Sequence, residues 1–169
     1  VTLEPGTYTV TPEDIQNGLF PDYTEFSGRK NYVLFLFSGN NSVYDFTDVT
    51  INVETAVFNA YTDAYDNFYE VQTTGNNNVL KNLTLIDLGS VNDYPKNGAC
   101  NITMDGSNNR IEGFHITAKG SYPYGYGDAF GKGGTYTIKH YKHSAFLIRG
   151  ESNHAKGVTI IHRTYGHCM

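Results

Sequence analysis

Four stretches of this chain carry the same corner. Phe35–Ser42 (FLFSGNNS), Val71–Asn78 (VQTTGNNN), Ile102–Asn109 (ITMDGSNN) and Phe146–Asn153 (FLIRGESN) align without gaps on a shared glycine. Each is followed by a second apolar alternation: Val49-Thr50-Ile51, Leu83-Thr84-Leu85, Phe114-His115-Ile116 and Val158-Thr159-Ile160. The offset from the glycine is constant in the last three, and the first carries two extra residues near Tyr44 to Thr47. A unit of this size repeated along a chain buries its apolar face only by stacking on its neighbours, so the repeat dictates the architecture.

Alternation sends successive side chains to opposite faces of a strand. Phe35, Val71, Ile102 and Phe146 are therefore expected inside, followed by Phe37, Thr73, Met104 and Ile148. The expected fold is all-β, a right-handed parallel β-helix of stacked strand–turn–strand coils, a solenoid with long loops on one flank. Gly at the corner tolerates positive φ, and Asn tolerates the left-handed region. Asn78, Asn109 and Asn153 share one register with Ser42, which predicts an interior ladder of stacked amides. Composition agrees, with 18 Gly, 14 Tyr and 10 Phe against 2 Met and no Trp, a profile of strands and tight turns. Residues 1–169 read as one domain. Thr159–Arg163 begins a further coil, so the chain is expected to be the N-terminal part of a longer domain.

The corners and the opening Val1-Thr-Leu-Glu-Pro-Gly-Thr-Tyr-Thr-Val10 resemble the pectate-lyase-like superfamily of right-handed parallel β-helix proteins. The likeness covers the chain as architecture and includes no catalytic motif. It implies a polysaccharide-active protein that is secreted, on the cell surface or periplasmic. Within that fold the paired-Asp signature of the hydrolases has no counterpart here. This favours a lyase acting on an acidic polysaccharide over a glycoside hydrolase. A non-catalytic carbohydrate-binding module, or a segment of an adhesin or fibre, remains the alternative.

A net charge of −5 and a pI near 5.6 argue against nucleic acid as a partner. No apolar run approaches the length of a membrane span, so no membrane partner is expected. Cys100 and Cys168 lack both disulfide-framework and metal-ligand spacing.

The Gly-to-Gly spacings of 36, 31 and 44 residues exceed a bare coil, and the surplus falls at residues 52–68, 87–98 and 118–143. Tyr122, Tyr124, Tyr126 and Phe130, in a Gly-rich stretch, either stack on sugar rings or pack over the strands. Cations and histidines crowd the C-terminal third. Breaking a uronate polymer by β-elimination needs a base, a cation for the developing enolate and an acid for the leaving oxygen. Arg149 is expected to point outward as the carboxylate clamp, with Lys142 and Arg163 as further substrate cations. His143, His162, Tyr165 and His167 are the candidate acids and bases. No cofactor is required by any motif. Ca²⁺ is the one cation that the resemblance implies, with Asp105 and Glu151 as oxygen donors.

Overall fold

The computed structural model describes residues 3–20, 24–26, 29–60, 67–89, 99–119, 143–164 and 166–169. Strands form where β-branched and aromatic residues run together, and stop at the Gly and Asn corners. In chain order they are β1 (Gly6–Val10), β2 (Thr24–Phe26), β3 (Arg29–Phe37), β4 (Val43–Asp45), β5 (Val49–Val53), β6 (Asn67–Thr73) and β7 (Val79–Lys81). Then follow β8 (Thr84–Asp87), β9 (Ala99–Met104), β10 (Arg110–Glu112), β11 (His115–Ala118), β12 (His143–Ile148), β13 (His154–Lys156) and β14 (Thr159–His162). Two short helices, α1 (Pro12–Gln16) and α2 (Val57–Ala60), complete the description.

From β3 onward the chain visits three sheets in fixed rotation. The first holds β3, β6, β9 and β12 side by side, with β2 at its edge. The second holds β4, β7, β10 and β13, and the third β1, β5, β8, β11 and β14. Among the described residues every pairing is parallel except β2 with β3. The chain is thus all-β with parallel sheets. It differs from the expected strand–turn–strand unit in having a third, three-residue strand between each corner and the second alternation.

The expected positive φ holds at one corner glycine, Gly150, with φ of 74°. Gly39, Gly75 and Gly106 do not adopt it; there the left-handed residues are Asn41, Asn77 and Asn108, with φ of 56°, 58° and 56°, and Ser152 takes 54° in the last corner. What excludes a side chain is close approach: a Cβ on Gly75 would overlap Gly39 O, and one on Gly106 would overlap Gly75 O. The asparagine column exists, but its amides bond to backbone rather than to each other. Asn109 Oδ1 accepts from Asn78 N at 2.9 Å, and Asn109 Nδ2 donates to Gly75 O at 2.8 Å. Asn153 repeats this on Asn109 N and Gly106 O, and Asn78 on Ser42 N and Gly39 O. A second, exposed column runs the opposite way, with Asn40 Oδ1 accepting from Asn76 N and Asn76 Oδ1 from Ser107 N.

Val71, Ile102, Phe146, Thr73 and Met104 are fully buried, while Phe35 and Phe37 are half-buried against the core. Ile148, expected inside, is 42% exposed; it lies on β12, the outermost strand of its sheet, with no described strand beyond it. At the other end Leu3, Ile15 of α1 and Phe20 pack on the core, and Phe20 meets Phe35 edge-on at 5.6 Å. The two extra residues of the first repeat resolve as Thr47 and Asp48, since Phe46 N bonds Lys81 O as Asn82 N bonds Glu112 O.

Replacing Asn109 with Ala orphans a buried N–H and a buried carbonyl, and is expected to lower stability by about 2 kcal/mol or more. The same change at exposed Asn76 is expected to lower it by less than about 1 kcal/mol. Gly106→Ala removes no bond yet is expected to be worse than either. Denaturant unfolding of the three variants checks the order.

Candidate functional site

The first sheet does not alternate strictly. Phe68 and Val71 are three apart, yet both belong to the interior cluster, as do Ala99 and Ile102. On the opposite face Val33 and Leu36 cluster with Tyr69, Cys100 and Leu147. Strict alternation would put residues three apart on opposite faces. The ladder partners skip Leu34, Glu70, Asn101 and Ala145, one residue per strand, at the same level of β3, β6, β9 and β12. These strands share a bulge-like break, and at it Glu70 and Asn101 are fully buried.

Around the break lies a polar cluster in the interior. Asp87, the last residue of β8, and His143, the first of β12, join Glu70 and Asn101, and all four are buried. Asn101 Nδ2 donates to Glu70 Oε2 at 2.9 Å and to Asp87 Oδ2 at 3.1 Å, which also accepts from Lys119 N at 2.8 Å. Because Nδ2 faces two carboxylates, Asn101 Oδ1 faces His143 Nε2 at 3.1 Å, so that ring nitrogen carries the proton and donates. His143 Nε2 lies 3.5 Å from Asp87 Oδ2.

Burial, and then the charge of Asp87 beside it, push the Glu70 carboxyl well above the usual carboxylate range. Burial pushes the His143 imidazole below its usual value, against the pull of Asp87. The cluster therefore favours a neutral imidazole and a protonated Glu70.

The second constellation lies beyond the other end of β12. Arg149 donates Nε to Asp105 Oδ1 at 2.6 Å and Nη2 to Asp105 Oδ2 at 3.1 Å, a bidentate hold. Its Nη2 also meets the Tyr69 hydroxyl at 3.1 Å, with the guanidinium 5.4 Å from the Tyr69 ring centre. Gln72 Nε2 donates to Asp105 Oδ2 at 2.7 Å. Asp105 is buried while the Arg149 side chain is 37% exposed. Burial raises the Tyr69 phenol above its usual value, and Arg149 draws it back down.

The histidines of the C-terminal third divide from Arg149. His143 begins β12 and Arg149 follows its end, six residues or about 20 Å of strand away. His162 is half-buried near His143, and burial first, then nearby His167, lower its pKa, partly offset by a bond to the His143 backbone. His167 is exposed and its carbonyl accepts Ala145 N at 2.9 Å; Arg163 is exposed, its N–H bonded to Ala118 O. Tyr122, Tyr124, Tyr126, Phe130, Lys142 and Tyr165 lie outside the described residues. Of the two expected Ca²⁺ donors, Asp105 is engaged by Arg149 and Gln72, and Glu151 is exposed.

Glu70, Asp87 and Asn101 escape the sequence reading for different reasons. Asp87 continues the inward series Leu83, Leu85, so alternation alone marks it as a carboxylate aimed at the core. Glu70 and Asn101 sit at the break, where counting by twos fails. No family model matches the chain and no curated protein matches it.

The pH dependence follows from these shifts. Glu70 holds its proton more tightly folded than unfolded, so its contribution to stability is complete below its ordinary pKa of 4.5 and falls as pH rises above it. His143 does the reverse: its contribution is present above 6.5 and is lost as pH falls below that value. With a chelator present, Glu70→Gln is expected to unfold at a higher temperature than the unaltered chain at neutral pH. The gap should widen with rising pH, while the acid-side loss due to His143 persists. Thermal melts across the range from mildly acidic to mildly alkaline pH check both signs.

Proposed function

We propose that the chain is a right-handed parallel β-helix that acts on an acidic polysaccharide, cleaving it by β-elimination beside Arg149, just past the end of β12. The rotation through three parallel sheets and the in-register asparagine columns support the solenoid reading. The superfamily that it resembles supports the substrate class and, with it, a secreted, cell-surface or periplasmic place of action.

One observation carries the chemistry. Arg149 is half-exposed, held in one orientation by Asp105, and touches a phenol, Tyr69. A guanidinium so fixed pairs with a uronate carboxylate and stabilises negative charge as the adjacent carbon loses its proton. The electron pair of that C–H bond forms the new C=C bond and expels the glycosidic oxygen, which takes a proton from an acid. Tyr69, a largely buried side chain whose hydroxyl meets Arg149, is the candidate acid, since burial keeps its phenol protonated. A binding-only reading has its own support: Asp105 already neutralises Arg149, so the pair can hold sugar hydroxyls without turning over.

Mixing the protein with pectate, alginate, chondroitin and other acidic glycans and following the ultraviolet absorbance of the unsaturated product separates the two. Elimination is expected, with Arg149→Ala lowering kcat/KM about 100-fold or more and Arg149→Lys restoring part of it. Binding with no absorbing product would establish the binding-only reading. Unaltered turnover in both variants would move the site elsewhere.

A further inference from the structure

We propose that Glu70, Asp87 and His143 form a closed zinc site in the interior, with the Asn101 amide as its support. The three side chains come from three strands, β6 and β8 of one repeat and β12 of another, are fully buried, and offer one ligand atom each within 4.8 Å of one another. Nothing in the outward Arg149 face depends on them, so this site is separate from the proposed elimination chemistry.

Charge is the first argument. Two carboxyl groups lie side by side in the core, and among the described residues the groups bonded to them are an amide, an imidazole and a backbone N–H. None carries a fixed positive charge, and an uncompensated buried carboxylate is among the most unfavourable groups a core can hold. The second argument is independent. Each acid leaves one oxygen, Glu70 Oε1 and Asp87 Oδ1, buried without a hydrogen-bond partner among the described residues. Buried acceptors are normally satisfied, so two exceptions within one cluster mark a place for an electrophile.

The donor set selects the ion. An imidazole nitrogen with carboxylate oxygens, closed off from water, suits Zn²⁺, whereas Ca²⁺ and Mg²⁺ prefer all-oxygen shells with more ligands. Ligand atoms on a tetrahedral zinc ion stand about 3.4 Å apart, and His143 Nε2 and Asp87 Oδ2 are already 3.5 Å apart. For His143 to ligate through Nε2, its ring proton moves to Nδ1. Turning over the Asn101 amide then removes Nδ2 from the carboxylates and presents Oδ1 as a fourth donor. Glu70 gives up its proton to solvent on binding, and the +2 ion balances two carboxylates. The Lys119 N–H continues to orient Asp87, as outer partners of metal ligands commonly do.

The test is elemental analysis and thermal unfolding of the purified chain, chelator-treated and then reconstituted with Zn²⁺, Mn²⁺ or Ca²⁺. About one zinc ion per chain is expected, with a raised unfolding temperature for Zn²⁺ and none for Ca²⁺. Glu70→Gln and Asp87→Asn should each weaken zinc binding about 10-fold or more while circular dichroism shows the strands retained. His167→Ala, at an exposed histidine, should keep the ion. Three results would each overturn the site: no zinc uptake, which leaves a buried acid pair; full uptake by both acid variants; or loss of zinc in His167→Ala, which assigns it to surface histidines.

Discussion

Successive repeats in this chain meet at a carbonyl. Gly39 O, Gly75 O and Gly106 O each receive the amide of an asparagine from the next repeat, and each lies where a Cβ on the following glycine would sit. Parallel strands at about 4.8 Å spacing tolerate no side chain at such a crossing and no unpaired N–H beneath it. The glycine meets the first condition and the asparagine the second. With the corner fixed, the three sheets have no freedom of register, and apolar residues of one repeat fall on those of the last. Surplus chain then leaves at one place, between a strand of the third sheet and the next strand of the first.

That exit is also where the interior stops being apolar. Asp87 ends a strand on one side of it and His143 begins one on the other, and the break in β6 and β9 brings Glu70 and Asn101 to meet them. The outward face of the same sheet carries Tyr69, Gln72, Asp105 and Arg149, tied by hydrogen bonds across β6, β9 and the end of β12. One sheet thus separates two polar networks of opposite character. The inner one is rich in carboxyls and closed to water; the outer one is organised around a cation and partly open.

The repeat made the strands, their order and the asparagine register legible, because each rests on a local pattern that recurs. Two things were hidden. The three-residue strands between corner and second alternation are too short to show a period, and neighbouring repeats alone define them. The reason for the glycines lay in the neighbouring repeat as well: the contact that excludes a Cβ at Gly106 is with Gly75, 31 residues away. Among site residues, Arg149 was placed outward by the inward parity of Phe146 and Ile148, and it is the one that meets other candidate chemistry there. Its grouping with His143 and His162 rested on sequence proximity, which a strand converts into distance. Asp87 is readable from parity, as the continuation of Leu83 and Leu85, whereas Glu70 is not, since the break shifts the count.

The break itself behaves as a line rather than a point. A single odd residue in one strand would strain its neighbours; copied at the same level in β3, β6, β9 and β12, it becomes a dislocation running along the axis, with every strand displaced alike. Along that line stand Leu34, Glu70, Asn101 and Ala145, hydrocarbon at the ends and polar in the middle. Pairing on either side is indifferent to which side chain occupies it. The line is a groove in sequence space where side chains can be exchanged without retuning the ladders, and so a place where such a scaffold can acquire interior chemistry.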